Sequence, residues 1–283
     1  MKRVHYNPLN LPKDVKWLAG AACFAEIARA AQSWDARELE DRRRSGAISI
    51  EKEDPDNGLH RLLRGELPSD TTIARWEAAF PGARLREWRD HGLWIALEEN
   101  PTIPRLLTAL KSLDAPAQKR IMAGASQPYE WDATRVKSLE EALIRELEFR
   151  ADLGAFLALT VIARHAQASA LARPHMLAAA ATMRLFPTVV GLSPHLFASW
   201  PLLVTRFTEN VWREPLRIER SAGPRTIVNQ LIEVSDVARR TGIALPPANI
   251  IAWSVKRFAE ECSIRSPMEA GLMVETTLPD AAA

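Results

Sequence analysis

The sequence predicts an all-α protein. Apolar side chains recur at helical spacing along most of the 283 residues. Sustained alternation of β-branched and polar residues, which marks strands, does not occur, and the chain has only two tyrosines. With 47% apolar and 25% charged residues, the composition is that of a globular protein with a sizeable core. The length suits one large domain or two ordinary ones.

Two helices are predicted in the first 45 residues. The first spans about 14–31, and its apolar side chains share one helical face: Trp17, Ala21, Phe24, Ala25 and Ala28. Ser33 is expected to cap a second helix at about 34–44, because its hydroxyl can accept an early backbone N–H. A polar loop at 45–57 follows.

Three consecutive arginines, Arg42, Arg43 and Arg44, end this second helix. They can form a solvated face, stabilised by pairs four residues apart such as Glu38 with Arg42. They can also contact nucleic-acid phosphates. The sequence leaves both interpretations open.

The segment from 58 to 94 contains the most specific local pattern in the chain. A short helix at 59–64 is predicted to bury its three leucines and to direct His60, Arg61 and Arg64 toward solvent. Gly65 is expected to end that helix in the left-handed conformation, which other residues resist.

A second helix of this segment begins after Pro68. Ser69 is the predicted cap, and Asp70 is favourable at the positive end of the helix dipole. The residues predicted to face the core are Ile73, Trp76, Ala79 and Phe80. The Pro-Gly pair at 81–82 is expected to end the helix.

This order resembles the back half of Cro-type (XRE-like) helix-turn-helix domains, in which a recognition helix runs into a Gly-x-x-Pro-Ser turn and a supporting helix. It is also similar to a module of uncharacterised bacterial proteins. The residues that carry this likeness are Arg64, Gly65, Glu66, Pro68, Pro81, Gly82, Leu93 and Trp94. The same pattern also fits a plain helical hairpin.

The resemblance implies sequence-specific binding of duplex DNA, as in a bacterial regulator. Arg61 and Arg64 would contact base edges or phosphates, because arginine suits both. His60 and Arg75 would assist, and the arginines at 42–44 would clamp phosphate. A homo-oligomer, or a protein partner held by the C-terminal bundle, is expected, since such proteins commonly bind as dimers.

The alternative function is an all-helical interaction or assembly module with neither nucleic-acid binding nor catalysis. In that case the N-terminal hairpins form a scaffold. The apolar stretch at 185–205 would then contribute to an oligomer interface.

The C-terminal half is predicted as a bundle round one long helix. Ser138 and Glu141 form a capping box that places its start. Between 153 and 162 it is apolar on every side, which predicts a buried hub. The helices expected to pack round it lie at about 174–186, 195–212, 224–241 and 247–263. The predicted organisation is a helix-turn-helix-like domain at 1–125, a larger helical bundle at 135–265 and a frayed tail at 266–283.

Composition and motifs exclude several classes of function. The net charge of +2 argues against a surface that is basic everywhere, and it leaves room only for a local basic face. Phosphate-loop, dinucleotide-binding, HExxH and GxSxG motifs are absent. The two cysteines are too far apart in sequence for a zinc motif, and no histidine has metal-ligand spacing. We therefore expect no enzyme, no cofactor and no metal.

The expected location is the cytoplasm, without a membrane span. The N-terminus lacks the apolar core of a signal peptide. The stretch at 185–205 is long enough to span a membrane and is uncharged apart from His195. Pro187, Pro194 and Pro201 interrupt it, which predicts short buried helices instead.

Overall fold

The computed structural model is all-helical, as the sequence predicts. The residues that the structure describes are 10–45, 58–110, 113, 136–212 and 224–262, and no strand occurs among them. The N-terminal helices are α1 (Lys13–Ala31), α2 (Ala36–Ser45), α3 (Gly58–Leu62), α4 (Asp70–Ala79), α5 (Leu85–Arg89), α6 (Leu93–Ala96) and α7 (Ile103–Ala109). The remaining ones are α8 (Val136–Arg150), α9 (Leu153–Ala168), α10 (Ala172–Leu192), α11 (Pro194–Phe197), α12 (Trp200–Asn210), α13 (Pro224–Arg240) and α14 (Ala248–Cys262).

Helix α1 is the central element of the N-terminal half. It is buried on all sides from Trp17 to Ala28, more completely than a single apolar face requires. It packs against α3 and α5 of its own half and against α11 and α14 from the C-terminal half. One face of α1 joins a small core with α2 to α5, and another joins the main core with α6 to α14.

The main core contains residues from both predicted domains. Leu18 and Trp94 from the N-terminal half belong to the same apolar cluster as Phe156 and Phe207. The segment between the two predicted domains, 126–134, lies outside the described residues, as does the tail at 266–283. The division into two domains therefore stays a prediction.

The corner between α3 and α4 has the local structure that the sequence predicts. Gly65 adopts a left-handed φ of 76°. The hydroxyl of Ser69 accepts the N–H of Thr72 at 3.2 Å and caps α4. The leucines of α3 are buried, and so are Ile73, Trp76 and Phe80 of the α4 region. Ala79 is half-buried against the same core.

The predicted starts of α2 and α8 are both wrong: α2 begins two residues later than predicted, and α8 begins before its predicted cap. Helix α2 begins at Ala36, and its first N–H groups bind Asp35, whose Oδ1 accepts Arg37 N–H at 2.8 Å. Ser33 instead accepts the N–H of Asp35 itself. Helix α8 begins at Val136, so Ser138 lies inside the helix and not before its first residue.

The long hub helix is two helices, which corrects the sequence prediction. Ala151 adopts a left-handed φ of 50° between α8 and α9. Asp152 then caps α9, because its carboxylate accepts the N–H of Ala155 at 2.7 Å. Helix α9 is buried from Ala155 to Ala166, so the hub itself is confirmed.

The apolar stretch at 185–205 lies mostly in the interior. Helix α10 runs through Pro187 and ends at Leu192, further than predicted. The helix predicted at 195–212 is divided into α11 and α12. Of the described helices, only α10 has the length and composition to cross a membrane, and 67% of its apolar window is buried within the protein. That burial is typical of a core helix.

Candidate functional site

The predicted DNA-contacting residues lie on and beside the α3–α4 corner. His60 is half-buried, and its ring lies 5.6 Å from the ring of Trp253 in α14. Arg61 forms an ion pair with Glu66, at 2.7 Å between Nη2 and Oε2. Two of the predicted contacts are therefore engaged with neighbouring side chains.

Arg64 and Arg75 are two further exposed arginines of this corner. Among the residues that the structure describes, neither guanidinium has a hydrogen-bond or ion-pair partner. Arg64 directly precedes the Gly65 turn, and Arg75 lies in the middle of α4. The run Arg42, Arg43 and Arg44 occupies the end of α2, but these side chains lie outside the described residues.

A buried polar cluster, which the sequence did not predict, is centred on Glu26. Glu26 of α1 is only 2% exposed. Its Oε2 accepts His195 Nε2–H at 2.6 Å, and both of its oxygens accept Arg29 at 2.8 Å. The backbone N–H of Arg84 completes the set at 2.7 Å. Glu26 thus connects α1, the segment before α5, and α11.

The charge state of Glu26 follows from these bonds. Burial alone would raise the pKa of its carboxyl, because burial disfavours the charged form. The hydrogen bonds from Arg29, His195 and the backbone of Arg84 outweigh burial and lower the pKa to about 2. Glu26 is therefore ionised at neutral pH. Burial lowers the pKa of His195, so its neutral ring donates Nε2–H to Glu26.

Three rings are stacked beside this ion. His195 lies on one side of Trp88, with centroids 3.9 Å apart and planes at 13°. His91 lies against the same indole at 5.2 Å and 18°. Burial, with the neighbouring His195, lowers the pKa of His91 to about 4. Its Nδ1 accepts Leu93 N–H at 3.3 Å, so the proton of the neutral ring is on Nε2.

An open cleft of about 650 Å³ lies next to this stack. The residues that line it are Glu77, Ala83, Arg84, Arg86, Glu87, Asp90 and His91. Two residues of the cleft also contact the buried groups. The backbone N–H of Arg84 binds Glu26, and the ring of His91 stacks on Trp88. The cleft wall is therefore attached to Glu26 and to Trp88.

The buried guanidinium of Arg89 fixes one side of the cleft. It forms ion pairs with Asp90 and Asp70, with N–O distances of 2.7 and 2.8 Å, and it donates a hydrogen bond to the carbonyl of Pro68 at 3.1 Å. Burial would lower the pKa of Arg89, but the pairs with Asp90 and Asp70 raise it. The single positive charge of Arg89 is therefore shared by Asp90 and Asp70 before any ligand arrives.

The guanidinium and carboxylate groups that line the cleft can pair with charged groups of a ligand. Burial strongly raises the pKa of the nearby Cys23 thiol, so it is protonated and is no nucleophile. Within the described ranges, no group of three histidine, cysteine or carboxylate side chains is arranged to hold a metal ion.

Sequence reasoning missed these residues because their contacts are distant along the chain. Glu26 and His195 are 169 positions apart. One signal was present: each is a single ionisable side chain in an otherwise uncharged stretch, and such residues are seldom buried without a partner. No family model, curated protein or solved structure matches the chain.

Proposed function

We propose that this protein binds duplex DNA through the α3–α4 corner, as a sequence-specific regulator. The observation that carries the proposal is the pair of exposed arginines, Arg64 in the turn that follows α3 and Arg75 in α4. Their guanidiniums have no partner within the described part of the chain. The apolar side of the same corner is buried, so the helices present these side chains on a fixed support.

Arg61 can join these contacts at small cost. Its pair with Glu66 is half-exposed, and exposed ion pairs contribute only about 0–1 kcal/mol. A phosphate can therefore replace the carboxylate as its partner. His60 packs against Trp253, and through this contact α14 supports α3. Direct contact with the DNA is then made by the arginines.

The test compares two double variants by fluorescence anisotropy with a short duplex of random sequence. Arg64→Gln with Arg75→Gln removes the proposed contacts. Arg145→Gln with Arg225→Gln is the matched control, because both arginines are exposed and lie in α8 and α13. Each lost charged contact is expected to weaken binding about tenfold. Equal affinity of the two double variants would contradict the proposal.

One observation favours the alternative, an assembly module. Phe149 in α8 is 93% exposed, which is unusual for a phenylalanine outside an interface. The stretch at 185–205 is largely buried in its own core, and Phe149 is the most exposed of the large apolar side chains that the structure describes. Light scattering after gel filtration tests this function. A multimer that Phe149→Ser converts to a monomer supports it, and a wild-type monomer at all concentrations contradicts it.

A further inference from the structure

The charged side chains of the cleft are only loosely paired with each other. Arg84 lies 3.7 Å from Glu87, with both side chains largely exposed. Arg86 lies 3.7 Å from Asp70, whose closer partner is Arg89 at 2.8 Å. Because exposed pairs at this distance contribute little, both guanidiniums can take another anion at small cost.

The backbone and the ring that form the cleft wall are fixed in place. The N–H of Arg84 is held by Glu26, and the N–H of Arg86 is held by Glu77 at 3.3 Å. His91 is stacked on Trp88 and accepts Leu93 N–H. Because the backbone and the ring are already fixed, only the charged side chains must become ordered when a ligand binds. This reduces the entropy that is lost on binding.

The balance of charge defines the class of ligand. Asp90 and Asp70 share the single charge of Arg89, and the other charged side chains of the lining are the guanidiniums of Arg84 and Arg86 and the carboxylates of Glu77 and Glu87. A simple anion would meet both carboxylates, and a simple cation would meet both guanidiniums. A molecule with one charge of each sign meets a partner for both. The volume of about 650 Å³ is ample for a small metabolite.

We propose that this cleft binds a small zwitterion with one carboxylate and one protonated amine, as in a free amino acid. The guanidiniums of Arg84 and Arg86 take the carboxylate, and the carboxylates of Glu77 and Glu87 take the amine. His91 donates a further hydrogen bond from Nε2–H. The site does not depend on DNA binding, since neither Arg64 nor Arg75 lines the cleft.

The experiment uses the full chain, titration calorimetry and three probe types: proteinogenic amino acids, their N-acetyl derivatives and their amides. At least one free amino acid should bind. Its N-acetyl form lacks the ammonium charge and its amide lacks the carboxylate, so each should bind at least about tenfold more weakly. Failure of every free amino acid to bind, or equal binding of an N-acetyl form, would overturn the proposal.

Two variants locate the site. Arg84→Gln should weaken binding of the carboxylate, while its backbone N–H still serves Glu26. Glu87→Gln should weaken binding of the amine. Arg225→Gln, an exposed arginine of α13 outside the cleft, is the control and should bind as the wild type does. Wild-type affinity in both Arg84→Gln and Glu87→Gln would place any binding elsewhere and contradict the proposal.

Discussion

Glu26 is the residue on which three parts of the molecule meet. A buried ion is costly unless hydrogen bonds replace its water, and here a guanidinium, an imidazole and a backbone N–H do so. The same carboxylate thereby holds α11 against α1 and fixes the backbone at the rim of the cleft.

Glu26→Gln should destabilise the protein by about 2 kcal/mol, because it removes the charge from several hydrogen bonds and turns an acceptor into a donor. Urea unfolding followed by circular dichroism measures the change. Glu87→Gln is the control. Its side chain is 65% exposed, so the free energy of unfolding should change by less than about 0.5 kcal/mol. Similar effects of the two substitutions would contradict the role given to Glu26.

His91 should make stability dependent on pH in mild acid. In the unfolded chain its pKa is near 6.5, and in the folded protein it is about 4. As the pH falls between these values the unfolded state takes up a proton that the folded state does not, so stability falls. His91→Asn keeps an acceptor for Leu93 N–H but cannot titrate.

Urea unfolding at pH 6.5 and at pH 4 measures this effect. The free energy of unfolding of His91→Asn should fall less across this interval than that of the wild type. An equal fall in both proteins would show that His91 is not held neutral in the folded state.

Among the secondary-structure elements, the α3–α4 corner was predictable because its signals are local. Gly65, Ser69 and the apolar spacing of α4 all act within a few residues. The division between α8 and α9 was not predictable in this way. The left-handed residue there is Ala151, not a glycine, and Asp152 begins the next helix within an otherwise helical pattern.

The candidate site was less predictable than the helices. Glu26 lies in a helix whose spacing correctly predicted burial, but its partners come from the segment before α5 and from α11. Helical periodicity shows that a face is buried and does not show what that face meets. For the same reason the sequence placed Arg61 toward solvent but did not predict its pair with Glu66.

Two glycines with similar backbone conformations should respond differently to alanine. Gly65 and Gly82 have φ values of 76° and 87°. At Gly65 a Cβ would lie 2.9 Å from the backbone N of Trp17, whereas at Gly82 it would meet nothing within 4 Å. Gly82→Ala should therefore cost only the conformational strain of about 1–2 kcal/mol. Gly65→Ala should cost clearly more, because α3 must also move away from α1.

Urea unfolding of the two glycine variants provides the comparison. Equal losses of stability would mean that the α3–α4 corner does not pack closely on α1.

In the molecule as a whole, the two halves are joined by polar contacts as well as by the shared core. Arg164 of α9 is buried and donates to the carbonyls of Glu98 and Glu99, at 2.7 and 2.6 Å. Asn210 of α12 donates to the carbonyl of Leu97 at 3.0 Å. The end of α6 is therefore held by the C-terminal helices.

This joining predicts one cooperative unfolding transition. Hydrogen exchange measured by mass spectrometry at increasing urea should show α4 and α9 losing protection at the same midpoint. Loss of protection in α4 well before α9 would mean that the N-terminal helices unfold independently despite the common core.

The proposed binding of DNA has a characteristic signature in its dependence on salt. With a net charge of only +2, binding must come from a few local arginines. The logarithm of the association constant should fall linearly with the logarithm of salt concentration, with a slope of about −0.9 for each phosphate neutralised. Anisotropy titrations at several salt concentrations measure that slope. The proposal predicts that Arg64→Gln with Arg75→Gln reduces the slope by about 2. No binding at low salt, or a slope unchanged in that variant, would contradict it.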